Sequence, residues 1–384
     1  MIRSTDGNLL CRRSRGDRSV KRPQRKTIAI LLAAGIVGGA LAAGCARKDA
    51  RPEAVATVNG EDIQVLELSE KLGVPAGVFA VTNIPLEQKR EALDRLVAGR
   101  LLAQDARSRG FDNTSQFREI LRQNEHVARV SALFRKEIEG KVKLDDGEKD
   151  VQAEVAKLQG MKDKISDADV LERAKKKVAK NRIRKIQEEL TATAMKETGA
   201  AVDQKMIDRI GKGESVPDNA VLASAGNEKV LYSDVQKILQ GVSQSAGNSG
   251  TGDLSKDPAM ISNVVNRELT GKAIAAYAKK QVPDHSDVYK AERQNLERNI
   301  LLSLMADNVV WKDATVTDKE IEAAYHKNAG EMIRNGKKIP LSAVKERIRA
   351  FLQNEKRNKA LDAYIAELQK KAKITVNDAV LAKI

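Results

Sequence analysis

The chain has 384 residues, of which 32% are charged and only 3% aromatic, with a formal net charge of +15. That length leaves room for two ordinary domains with sizeable cores. The scarcity of aromatics argues against an all-β sandwich and for helical cores of Leu, Ile, Val and Ala, and with none between the basic runs it argues against nucleic-acid binding as well.

Residues 1–26 hold nine bases against Asp6 and Asp17, and residues 27–44 then run without a charge. This is the layout of a secretory signal, and its end, Leu41-Ala42-Ala43-Gly44-Cys45, resembles a bacterial lipobox in which Cys45 receives lipid. The alternative is an uncleaved signal anchor, since the apolar run is just long enough to span a bilayer. Either reading puts the remainder in an extracytoplasmic compartment. Ala46 is not the Asp that often retains lipoproteins in the inner membrane, which favours lipid anchoring in the outer membrane, facing the periplasm. Cys11 would leave with the signal, so no thiol remains for a disulfide or a metal. The chain after residue 44 keeps a charge of about +8, spread over mixed-sign helices such as the one holding Lys175, Lys176 and Lys177.

A polar tether over 45–54 leads to Val55-Ala56-Thr57-Val58 and an Asn59-Gly60 turn, the pattern of a strand and a hairpin. The far end of the chain mirrors it. Val344, Ile348, Phe351, Leu352, Leu361, Ile365 and Leu368 predict a long helix with one buried face, and Ile374 and Val376 predict a short closing strand. The same grammar stands about 174 positions earlier, with Val170 opposite Val344, Val178 opposite Leu352 and Val202 opposite Val376. Gly99-Arg100 likewise matches Gly271-Lys272, and residues 61–68 match 228–235. The pattern predicts two tandem helical units, 55–215 and 222–384. Helix starts are expected at Ser166, Ser233 and Thr317, each followed by Asp, Gln or Glu three residues on.

The VATVNGEDIQVLEL opening, the LDRLVAGRLLAQDARSRG helix and the closing ELQKKAKITVN resemble the SurA/PrsA class of extracytoplasmic foldases, specifically their non-catalytic helical chaperone module. Lipoproteins of the EpsD type, tied to exopolysaccharide export, are similar as well. The resemblance implies a mostly α fold in which each unit is closed by pairing its own opening and closing strands: Val55–Val58 with 200–202, and 230–232 with Ile374–Val376. It also implies that unfolded exported or outer-membrane polypeptides are the partners. The catalytic members carry a parvulin prolyl-isomerase domain before the final helix, whereas here residues 329–338 are too few to hold one. A name from the isomerase family, or a structural adaptor in an envelope assembly, is the alternative.

No H-E-x-x-H, phosphate loop or Cys/His metal spacing occurs, so no catalytic residue, metal ligand or cofactor is expected, and no small-molecule substrate. His126, His285 and His326 stand far apart, and the pairs Asp145-Asp146 and Glu188-Glu189 read as solvated helix faces. One loop stands out. Residues 73–85 are apolar, with Val74, Val78 and Phe79 as candidate client contacts, whereas the corresponding 241–257 is rich in Gly and Ser.

Overall fold

The computed structural model describes residues 54–384 apart from 74–83, 140, 143, 160–165, 246–256, 329, 331–332 and 335–336. The signal, Cys45, nearly all of the tether, and Val74, Val78 and Phe79 lie outside the described residues. What is described is mostly helical, in an order that occurs twice. The first half runs β1 (Ala54–Val58), β2 (Glu61–Gln64), α1 (Val65–Lys71), α2 (Leu86–Ser108), α3 (Ser115–Ile138), α4 (Lys149–Gln159), α5 (Asp167–Glu197), β3 (Ala201–Val202) and α6 (Gln204–Gly211). The second runs β4 (Val221–Ala225), β5 (Glu228–Leu231), α7 (Tyr232–Ser245), α8 (Pro258–Gln281), α9 (Asp287–Met305), α10 (Asp318–Lys327), the hairpin β6 (Ile333–Arg334) and β7 (Lys337–Lys338), α11 (Leu341–Lys371), β8 (Ile374–Val376) and α12 (Asp378–Lys383).

The repeat extends to fine detail. β1 and β4 share one alternation of buried and half-buried residues, and both shift register at their start, between Ala54 and Ala56 and between Val221 and Ala223. At the turn that follows, Asn59 and Gly226 both take left-handed backbone, at φ 51° and 59°. Asn is among the few side chains that tolerate that region. α5 and α11 are each 31 residues long, and α6 and α12 are capped alike, Asp203 accepting from the Met206 N–H and Asn377 from the Val380 N–H.

The strands do not close each half on itself. β1 pairs with β8 of the second half, Ala56 opposite Val376, and β3 of the first half pairs with β4, Val202 opposite Ala223. Neither expected pairing, Val55–Val58 with 200–202 or 230–232 with Ile374–Val376, forms: the closing strands β3 and β8 are exchanged between the halves, and Val230 lies in β5, which pairs with β4 and with no closing strand. The reason lies in the long helices. α5, about 46 Å long, leaves its own half, packs on α8 of the other and delivers β3 beside β4; α11 returns across α2 and delivers β8 to β1.

Two strand-end cores result. Val55, Val58, Ile63, Leu93 and Leu381 fill one, and Leu222, Val230, Ile207, Ile261 and Leu269 fill the other. Between them the halves interlock: Leu102 and Phe117 pack against Leu301, Leu304 and Met305, while Ala128, Leu133 and Leu190 pack against Ala278 and Tyr289. α3 and α9 are therefore antiparallel neighbours, with Phe117 at the start of one and Tyr289 at the start of the other. Residues 51–384 form one compact unit.

Two hairpin arms leave this body. α4 packs chiefly on α5, and α10 on α11, each over a small core of its own: Val151, Ala174 and Val178 in the first arm, Ile321, Tyr325, Val344 and Ile348 in the second. Ser166 and Thr317 cap α5 and α10 as the pattern predicts, Thr317 in a reciprocal box with Glu320. Ser233 does not cap a helix. α7 begins one residue earlier, where the N–H groups of Tyr232 and Ser233 donate to the carbonyls of Ala220 and Asp218 and need no side-chain acceptor.

Candidate functional site

The seam between the halves concentrates the charge that the helices bury. Three carboxylates and three arginines meet where α1 lies across α2, α3 and α9. Arg100 of α2 grips Glu67 of α1 with both carboxylate oxygens, at 2.7 and 2.9 Å. Arg298 of α9 donates to the same carboxylate at 3.1 Å, and Arg100 also donates to the Asp62 carbonyl at 3.0 Å. One turn on, Arg135 of α3 bridges Glu70 at 2.8 Å and Glu292 of α9 at 2.5 Å. These side chains are largely withdrawn from solvent, Arg100 being 12% and Glu292 11% exposed. Burial therefore pushes the Glu70 carboxyl above its ordinary range; Arg135 opposes the rise and Glu292 adds to it. Such pairs lend little net stability, but removing one partner strands the other charge.

Two open cavities flank α9 beside this network. One, of about 420 Å³, is lined by Glu61, Asp62, Arg100, Arg107 and Arg298, and the other, of about 400 Å³, by Glu125, Asp284, Tyr289, Lys290 and Arg293. Gln294 and Glu297 line both, so the two form consecutive stretches along one helix face. In the second, the Tyr289 hydroxyl donates to Glu125 at 2.5 Å, and Arg129 lies 4.3 Å over its ring while pairing with Asp284. Burial, with that bond to Glu125, pushes the Tyr289 hydroxyl up to about 12, so it stays a neutral donor. Both cavities offer paired donors and acceptors to a polar segment, and neither offers an apolar wall.

Apolar surface lies elsewhere. Of the large hydrophobic residues with burial described, Phe351 on α11 is the most open at 69%, ahead of Leu86, Val127 and Val242. This departs from the sequence pattern, which placed Phe351 on the buried face. The α10–α11 core closes on Val344, Ile348 and Leu352, and Phe351 falls just beyond its edge. Leu72 and Ile84, which bracket the undescribed loop, pack into the core of the first arm.

His126, His285 and His326 are exposed and stand on separate elements, and the acidic pairs serve as ion-pair partners, Asp146 for Lys175, Glu188 for Arg184 and Glu189 for Lys185. Among the described residues no group of His, Cys, Asp and Glu is arranged to hold a metal, and no helix is long and apolar enough to cross a membrane. Residues 329–338, the short link between α10 and α11, contain the β6–β7 hairpin. The seam network escaped the sequence reading. Arg100 follows Gly99, whose position on α2 faces α9: a Cβ there would meet Leu302 at an ordinary 3.8 Å.

No protein-family profile, curated protein or solved structure matches this chain.

Proposed function

We propose that this chain is an extracytoplasmic, lipid-anchored holdase that shields extended apolar segments of unfolded exported polypeptides from one another. The observation that carries the reading is the α10–α11 arm, a hairpin with a small core of its own that leaves Phe351 largely open to solvent. An arm of this kind fits weak, reversible and sequence-tolerant capture, which lowers the population free to aggregate. The signal-like residues 1–44 with Cys45, and the resemblance to the non-catalytic foldase module, support the compartment and the class. Val74, Val78 and Phe79 are proposed as further client contacts. The reading needs no cofactor and makes or breaks no bond.

A second reading, a structural adaptor for one envelope or polysaccharide-export partner, draws on the polar cavities along α9, which suit a fixed ionic partner better than apolar clients. Aggregation of several unrelated unfolded outer-membrane or secreted proteins, followed with and without the chain from Ala46 onward, separates the two. Suppression across clients is expected. Suppression of none, with one stoichiometric protein co-purifying, establishes the adaptor instead, and acceleration of prolyl isomerisation in the same samples overturns both.

A further inference from the structure

The repeat places α5 and α11 in equivalent positions, so corresponding residues on their outer faces can be compared directly. On α5 the flank beside buried Val170, Ala174 and Val178 carries Arg173, Lys176, Lys177, Lys180 and Arg184, all exposed. On α11 the flank beside Val344 and Ile348 carries, in the same order, Arg347, Ala350, Phe351, Asn354 and Asn358, also exposed. One backbone position thus bears two chemistries, a row of cations on the first arm and a largely neutral surface with an open phenyl ring on the second. Burial of the helix does not demand the cations, because the second arm packs without them.

Local ion pairing absorbs only part of the row. α5 contains no acid between Arg173 and Gln187. Lys175 and Arg182, at the flanks, are occupied by Asp146 and Glu148 near the start of the α4 hairpin, and Lys177 reaches Glu154. Lys176 holds Glu172 one turn back, and Arg184 sits 3.8 Å from Glu188. Arg173 and Lys180 have no partner among the described residues. The row spans about 16 Å of one helix, with no aromatic side chain in it.

We infer that this face of α5 docks on an anionic lipid surface. A flat row of flexible cations suits a plane of headgroup phosphates, where each base near the surface strengthens partitioning roughly fivefold. Long-range attraction of this kind needs no pocket. The inference rests on the extracytoplasmic, lipid-anchored part of the proposed function. A lipid on Cys45 would hold the body within about 30 Å of the bilayer, since eight residues separate it from β1. The first arm would then face the membrane and leave the second, with Phe351, for clients.

The test uses the chain from Ala46 onward, which contains the whole compact unit and both sheets, without the lipid. It is sedimented with vesicles of phosphatidylcholine alone and with added phosphatidylglycerol, at low and at high salt. Binding only to the anionic vesicles, lost at high salt, is expected, and a triple variant R173Q/K180Q/R184Q should bind at least about tenfold more weakly. A control, K205Q/K212Q/K279Q, removes the same charge from exposed sites elsewhere and should change binding little. Equal losses in the two variants, or no preference for anionic vesicles, overturn the inference. If polyglutamate binds through the stripe while vesicles do not, the occupant is an acidic polypeptide and the lipid assignment is wrong. Aggregation suppression by the triple variant should match the parent. Its loss would assign the stripe to clients, whereas absence of suppression in the parent would sink the holdase and leave the vesicle result standing. Unchanged melting of both variants shows that folding is not the cause.

Discussion

At single residues the fold makes sharp demands that composition conceals. Gly211 ends α6 against Pro258, the first residue of α8, and a Cβ there would lie 2.4 Å from the proline ring. Gly211→Ala should therefore cost about 1–3 kcal/mol, measured by denaturant unfolding. Glu320 shows the opposite, a residue whose charge is favoured. Its bond from Lys356, then those from the Thr317 backbone and hydroxyl, hold it down to about 2 from an ordinary 4.5. A folded pKa below the unfolded one gives stability that is present above the unfolded value and lost as pH falls through the folded one. An NMR titration should show Glu320 ionised well below pH 4.5, and Lys356→Met should move its midpoint up. Glu70 runs the other way. Its raised pKa means that protonation stabilises the fold, an effect fully present below the unfolded value and lost as pH rises through the folded one. Glu70→Gln leaves Arg135 paired with Glu292, so it should raise the melting temperature near neutral pH and flatten its rise on mild acidification.

At the scale of elements, the arms and the seam should respond differently to truncation. Leu301 is fully buried where α9 meets α2 and α3, so Leu301→Ala should lower global stability by about 2–5 kcal/mol. Phe351 is largely exposed, and Phe351→Ser should change stability by no more than about 0.5 kcal/mol while weakening aggregation suppression. A large loss of stability instead would make Phe351 part of the arm's core. The capped starts of α5 and α10 and the buried spacing of Val344 and Ile348 were legible beforehand because caps and helical periodicity are local. Phe351 was misplaced because periodicity marks a stripe without saying how far the neighbouring helix extends along it. α7 lost its expected serine cap because strand-end carbonyls, remote from the hydroxyl pattern, took over that task.

For the whole molecule, the exchange of strands and long helices means that neither half owns a complete sheet. β1 without β8, and β4 with β5 but without β3, each expose an edge and one side of a core. A chain cut in the loop between α6 and β4 should give two pieces that melt without a cooperative transition on their own and regain one when mixed. Circular dichroism and gel filtration check this. A first half that folds alone as a stable monomer would mean that the strand pairing can revert to its own half.

The helical class, the positions of α2, α5, α10 and α11, the repeat and the signal-like start were legible in the sequence alone, since each depends on local periodicity, capping or composition. Which strand meets which was left to the tertiary structure. β1 is offered near-equivalent partners in β3 and β8, because the repeat that makes them recognisable also makes them alike. The choice falls to where α5 and α11 carry the chain, and that depends on burying Leu301, Met305 and Tyr289 across the seam. The charged network around Glu67 and Glu70 follows from the same choice, because its members come together only once α9 lies between α2 and α3.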